Sequence, residues 1–329
     1  MDVLYVTDKT YKIQKSVDTL VVKQGGRKIA SVPLVHLKSV VLFGYVQLST
    51  QVLHLLMSSG VNIFYFDNKG EVIGIVLSNQ SNNVLLRISQ YRLWENQEFR
   101  VEFSKKIGGA KIKNQVSFIN KHLNDKGIDQ LKIKQAEKFL LEQLKLMKRG
   151  NSIQSVMGYE GICAKVYFEV FGEFLQRFEF HKRERRPAKN IVNALLNYTY
   201  AFLRNEMILR LAAYGFDIEL GFIHGVRYGR DSLALDLMEV FRPVFADEFV
   251  LKLLKGGYLT EQSFEIVDEA CVLTAEGVGI FCTQYELYLT KLDLGTSWFR
   301  LFDREIKRFR ASVFSSKPYS PFVFKEREK

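Results

Sequence analysis

Over roughly the first 80 residues, apolar and polar positions alternate in short β-branched runs, the period of strands that bury one face. Strands are expected at Val3–Val6, Thr19–Val22, Arg27–Val32, Ser39–Phe43, Val61–Phe66 and Glu71–Val76. Gly25-Gly26, between the second and third, tolerates positive φ and marks a hairpin. Asp67-Asn68-Lys69-Gly70 reads as the turn into the last strand, and Ser49 as the N-cap of a short helix over Thr50–Ser58. The polar run from Ser78 to Asn83 then breaks the pattern as a hinge would. Beyond it the period becomes helical. Ala136, Phe139, Leu140, Leu144 and Met147 form one stripe, while Ile191, Val192, Leu195, Leu196, Phe202 and Leu203 leave almost no polar side, so that helix is expected to be central. Only Pro187 and Pro243 fall between residues 84 and 317, which suits long helices. The expectation is an α+β protein: a small N-terminal β-sandwich-like domain at 1–78, a linker at 79–83, and a larger all-α domain at 84–329.

At 329 residues the chain has length for two domains, each with a core. Ser39 to Phe66 carries no charge, but polar residues from Gln47 to Asn62 interrupt it, so strand, helix, strand is expected there rather than a membrane span. The N-terminus has Asp2 and Asp8 and no basic lead into an apolar core, unlike a signal peptide. Cys163, Cys271 and Cys282 show neither CxxC nor zinc-ribbon spacing. A cytoplasmic protein without membrane contact is expected.

The net charge of +11 is unevenly spread: +3 over residues 1–99, +8 over 100–150, −5 over 151–297 and +5 over 298–329. A positive excess of this size makes a polyanion the first partner to consider. The acidic centre is what a purely electrostatic DNA binder would not need. Carboxylates become useful beside phosphate once they hold a divalent cation.

Two segments carry candidate chemistry. In Gly158 to Phe168, Glu160, Ala164, Tyr167 and Phe168 share one helix face, which turns the carboxylate inward with aromatic neighbours. In the second, Gly221-Phe222-Ile223-His224 is followed by a helix running from Ser232, with Asp236 and Glu239 at i, i+3. Paired acids repel unless a cation lies near. One imidazole with two or three carboxylates suits Mg²⁺ or Mn²⁺ better than zinc or copper. By spacing alone, a structural histidine and a solvated acid pair remain open.

The order and spelling of the motifs resemble the CRISPR-associated adaptation integrase and endonuclease family called Cas-one, which acquires new spacers. The resemblance rests on Glu160-Gly161, Asn193-Ala194-Leu195-Leu196-Asn197-Tyr198, Gly221-Phe222-Ile223-His224 and the run from Ser232-Leu233 through Asp236, Glu239 and Phe241-Arg242-Pro243. It implies that the helical domain is catalytic. It also implies that Glu160, His224 and Glu239 bind Mg²⁺ or Mn²⁺, with Asp236 as a supporting catalytic acid. Asn193, Asn197, Tyr200 and Arg204 form a polar stripe on an apolar helix, either behind the site or facing DNA, with a plain packing network as the alternative. Arg242-Pro243 and Asp247 are expected to shape the helix, and Lys182-Arg183-Glu184-Arg185-Arg186 to be a phosphate-contacting or merely solvated loop. The implied reaction is attack of a 3′-hydroxyl of a short DNA fragment on a phosphodiester at a CRISPR repeat. The implied partners are DNA, a second copy of the chain through residues 1–78, and a dimer of the small Cas-two protein. The rivals are a structure-specific metal-dependent endonuclease that does not integrate, and a non-catalytic basic DNA-binding scaffold.

Overall fold

In a computed structural model, residues 3–324 are described apart from positions 7, 9, 38, 67–71, 77, 79–82, 126, 179, 185, 186, 292–294 and 316–318. The expected turn at 67–70 and nearly all of the expected linker therefore lie outside the described residues.

Two units make up the chain, and the first is built on residues 1–81. It contains β1 (Val3–Val6), β2 (Tyr11–Ser16), β3 (Thr19–Gln24), β4 (Arg27–Pro33), β5 (Ser39–Phe43), β6 (Gln47–Leu48), α1 (Thr50–Ser58), β7 (Asn62–Phe66) and β8 (Val72–Val76). One sheet has the order β1-β5-β7-β8, parallel except for β8. The other runs β4-β3-β2-β6, antiparallel except for a short parallel pairing of β2 with β6. Leu4, Val6, Val40, Leu42 and Ile63 from the first sheet share a core with Ile13, Leu20, Val22 and Val32 from the second and with Val52 and Leu56 of α1. Gly25 and Gly26 turn β3 into β4 at φ of 54° and 85°. Ser49 caps α1 by accepting the Val52 N–H at 3.3 Å.

The second unit holds α2 (Val84–Glu95), α3 (Gln97–Lys121), α4 (Gln130–Met147), α5 (Ile153–Glu173), α6 (Ile191–Tyr214), α7 (Ser232–Met238) and α8 (Glu248–Lys255). A hairpin, β9 (Phe264–Val267) and β10 (Ala270–Leu273), precedes α9 (Ala275–Thr290) and α10 (Trp298–Ser315). Segments Leu259–Glu265 and Val272–Tyr288, with most of α9, belong to the first unit, a return of the chain that the hydropathy pattern does not signal. No described helix is long and apolar enough to cross a membrane.

α6 is buried along most of its length, from Val192 to Ala212. It starts at Asn190, whose side chain accepts the Asn193 N–H at 2.8 Å, and stops at Gly215 in the left-handed conformation. α3 packs against α4 through two glycines: a Cβ on Gly108 would stand 3.1 Å from Met147 Sδ, and one on Gly109 3.3 Å from Leu144 Cδ1. This close approach commits α3 to the interior, where it carries the polar residues Lys111 and Asn114. Asn114 donates to the carbonyls of Val240 (2.6 Å) and Phe322 (3.1 Å) and accepts the Phe324 N–H (2.8 Å), tying the C-terminal segment to the end of α7. Between α7 and α8 the backbone takes a π-helical turn over Arg242–Asp247. Pro243 lacks the N–H that an α-helical ladder would use there.

Candidate active site

The Gly221–His224 stretch of the loop before α7 is pinned at each residue. Phe222 is fully buried and meets the rings of Phe99, Phe103 and Phe309 at 5.3, 5.2 and 5.9 Å. Arg100 Nε donates to its carbonyl at 3.1 Å. Gly221 lies so close to α7 that a Cβ would stand 2.7 Å from the Ser232 backbone and 2.9 Å from Asp236 Oδ2, so only glycine fits. Asp236, whose side chain is fully buried, gathers the loop: Oδ2 accepts the N–H of Phe222 (2.6 Å) and Ile223 (3.0 Å). Oδ1 accepts the His224 N–H (3.0 Å) and pairs with His224 Nδ1 (2.6 Å). A carboxylate already receiving three N–H groups is an acceptor, so Nδ1 carries the ring proton and Nε2 keeps its lone pair for a ligand.

The two glutamates come from different elements. Glu160 is on α5, and Glu239 directly follows α7. Both pair with Lys111 of α3: its ammonium contacts Glu160 Oε1 and lies 2.6 Å from Glu239 Oε2. Arg242 adds a second cation, 2.9 Å from Glu239 Oε1. Burial alone would raise the Glu239 carboxyl, but the charges of Arg242 and Lys111 outweigh it and hold the group down at about 2. Burial likewise pulls Lys111 down, and Glu160 and Glu239 more than reverse that, so its pKa is raised and it stays charged. Glu239 Oε2 is buried, and the cation beside it is the Lys111 ammonium at 2.6 Å.

Among the described residues no three His, Cys, Asp or Glu side chains stand close enough together to hold a metal ion as they are placed. The structure brings Glu160 and Glu239 onto one cation, and that cation is Lys111. His224 lies near enough to Glu239 that a positive charge on its ring would lower the carboxyl. A buried carboxylate, a second carboxylate sharing its cation and an imidazole whose Nδ1 is tied to Asp236, leaving Nε2 as the other ring donor atom, form a donor set that fits a hard divalent ion.

The polar stripe of α6 reaches three separate parts of the chain. Asn193 Oδ1 accepts from Arg183 Nη1 (3.0 Å) and the Glu184 N–H (2.9 Å), and Asn197 Oδ1 from Arg183 Nη2 (2.6 Å). Arg183 is thus turned onto α6 rather than outward, while Arg185 and Arg186 lie outside the described residues. Tyr200 donates to Asp247 Oδ1 at 2.6 Å, and Arg204 Nε to Asp231 Oδ2 at 3.0 Å. Asp247 also receives the Tyr167 hydroxyl at 2.8 Å; its burial pushes the carboxyl up to about 6, against the pull of both tyrosines. The Arg242 guanidinium lies 4.5 Å from the centre of the Tyr200 ring, which links this network to Glu239. Sequence reasoning missed Lys111 altogether, since no motif surrounds it. It treated Arg242 and Asp247 as helix-shaping residues, although the i, i+3 spacing of Glu239 and Arg242 signalled an ion pair.

The family profile described as "CRISPR associated protein Cas1" matches residues 4–287. The CRISPR-associated endonuclease Cas1 1 of Thermodesulfovibrio yellowstonii is 32% identical over 266 residues, covering 80% of this chain and 83% of that protein. A casposase bound to integration product superposes with a TM-score of 0.84 at 21% identity, over 100% of this chain and 95% of the casposase chain. A Cas6-RT-Cas1–Cas2 complex gives 0.84 at 21% identity over 99% of this chain and 36% of the matched chain. At such identities these two structures bear on the fold.

Proposed function

The chain belongs to the Cas1 family of CRISPR-associated proteins, and on that premise we propose that it is a divalent-metal-dependent DNA endonuclease and integrase of CRISPR adaptation. The observation that carries this reading is the convergence of Glu160 and Glu239 on one buried cation in a chain where Asp236 fixes His224 with a free Nε2. Glu160, His224 and Glu239 would hold Mg²⁺ or Mn²⁺, which supplies a Lewis acid for a phosphoryl oxygen and stabilises charge on the attacking or leaving oxygen. Asp236 acts through His224, keeping the imidazole proton on Nδ1. Arg242, fixed by Glu239 and Tyr200, keeps positive potential where phosphate charge develops.

The reaction is a transesterification. A 3′-oxygen of a short DNA fragment forms a bond to the repeat phosphorus as the bond to the original 3′-oxygen breaks, and the proton of the attacking hydroxyl ends on the departing one. With water as nucleophile the same site cleaves. Holding both DNA ends near one phosphate makes the step effectively intramolecular. One structural neighbour is a casposase bound to integration product and another a complex containing Cas2, and integration in an assembly with Cas2 is the reading in keeping with both. A homodimer would supply one site for each fragment end.

The test incubates the protein, a supercoiled plasmid carrying a repeat and a short duplex with Mg²⁺ or Mn²⁺, and reads covalent joining. Glu160→Ala, His224→Ala and Glu239→Ala should each abolish joining and cleavage while folding and DNA binding persist, and EDTA should do the same. Near-normal activity in any variant removes that residue from the site. Cleavage without joining selects the plain endonuclease, and activity untouched by EDTA rejects metal dependence.

A further inference from the structure

Lys111 stands where the two glutamates need a cation. Its side chain is 8% exposed, against 11% for Glu239 and 28% for Glu160. Two carboxylates at that depth without a counter-ion would be strongly unfavourable, so the metal-free protein needs this ammonium. A divalent ion bound by the same oxygens would need it gone, since two cations cannot share the gap between Glu160 and Glu239 without strong repulsion. The second cation is built differently. Arg242 is anchored by Glu239 Oε1 at 2.9 Å and packed on Tyr200 at 4.5 Å. Lys111 carries a point charge on a flexible four-carbon stem and is the more readily displaced of the two.

We propose that Lys111 is a displaceable counter-ion that couples metal loading to DNA arrival. In the resting protein the ammonium holds Glu160 and Glu239. When DNA enters, a phosphodiester oxygen takes over the ammonium, and the divalent ion takes over the glutamates. This rests on Glu160, His224 and Glu239 being the metal's donors. A displaced ammonium needs an anion nearby, and the substrate phosphate provides one. No covalent step is involved; two ion pairs exchange partners. Metal and DNA therefore tighten each other's binding, by the same factor in each direction.

The experiment measures Mn²⁺ affinity from the electron paramagnetic resonance of free Mn²⁺, using the full chain and Lys111→Met. Each is titrated alone and with a short phosphorothioate duplex, which keeps the backbone charge and resists cleavage. The wild type should bind Mn²⁺ roughly tenfold or more tightly once the duplex is present, because its apparent affinity alone is reduced to the fraction of molecules whose ammonium has moved aside. Lys111→Met should bind Mn²⁺ more tightly than the wild type in the absence of DNA, and the duplex should add little. An affinity in Lys111→Met no tighter than wild type, or an undiminished duplex effect, overturns the inference while leaving the metal reading intact. Failure of Mn²⁺ to bind the wild type in either condition overturns the metal reading itself. A readout on the wild type needs no variant to fold: reductive methylation followed by peptide mass analysis should find Lys111 protected in EDTA and labelled with saturating Mn²⁺. Adding the duplex should protect it again. Labelling unchanged by Mn²⁺ refutes displacement.

Discussion

Asp236→Ala should damage the protein twice over, in stability and in metal-dependent activity, and the structure separates the two effects. The Asp236 carboxylate accepts from three consecutive backbone N–H groups, of Phe222, Ile223 and His224, and from the His224 ring. Each buried donor left without a partner costs about 1–3 kcal/mol. The Phe222 donor is fully buried, whereas those of Ile223 and His224 are only partly so and can recover water. The expected loss is therefore about 3–5 kcal/mol, the range of the most damaging single substitutions. Asp236→Asn is a poor conservative change, because its amide NH₂ would face donors on one side of the carboxyl position. It should still keep one acceptor and lose about 2 kcal/mol. Orientation of His224 should fail in both, lowering the cleavage rate by about 10–100-fold beyond any loss of folded protein. Urea denaturation gives the first quantity, and initial cleavage rates in Mn²⁺, corrected for folded fraction, give the second. A stability within about 1 kcal/mol of wild type for Asp236→Ala, with an unchanged cleavage rate, would refute the assignment of Asp236 as the organiser of this loop.

Three further outcomes follow from other parts of the molecule. Affinity for duplex DNA should fall with salt by roughly 0.9 log units per phosphate contact per log unit of salt, and charge reversals within 100–150 or 298–329 should flatten that slope; a salt-insensitive dissociation constant contradicts the electrostatic reading. Burial lifts the Asp247 carboxyl from 3.8 to about 6, so the folded protein retains a proton that the unfolded chain releases, and stability should fall as pH rises across that window. Asp247→Asn should flatten this slope, worth about 3 kcal/mol at most, and urea midpoints measured from pH 4 to 7 check it; an identical pH dependence in the variant counts against the assignment. The intact chain should be a homodimer through residues 1–78, whose surface exposes Val17, Ile29, Val35, Tyr45 and Ile73. Light scattering should report about 76 kDa, twice 38.1 kDa, and a chain beginning after Asn83 should be monomeric; a monomeric intact chain at micromolar concentration contradicts the arrangement.

What could be read from sequence depended on whether local pattern or tertiary context decides a residue's fate. β5, β7 and α1 were legible because their own apolar spacing dictates the element, down to the Ser49 cap. β2 was not: of Tyr11–Ser16 only Ile13 is buried, so alternation is hidden under polar side chains. α3 was hidden for the opposite reason. It buries Gly108, Gly109, Lys111, Asn114 and Gln115, a face that reads as a break in a helical stripe although these residues pack against α4, pair with Glu160 and Glu239 or tie down the C-terminal segment. The same contrast governs the site. Glu160, His224, Asp236 and Glu239 sit in short motifs whose spelling marks them. A lone lysine in a basic segment looks solvated, and only the fold reveals that α3 drives it between two acids. Among the described residues, the strongest violation of the rule that lysines stay outside lies beside the carboxylates proposed to do the chemistry. A charge held there by the packing of α3 against α4 and α5 makes this helix, unmarked by any motif, the element on which the proposed exchange of Lys111 for a divalent ion depends.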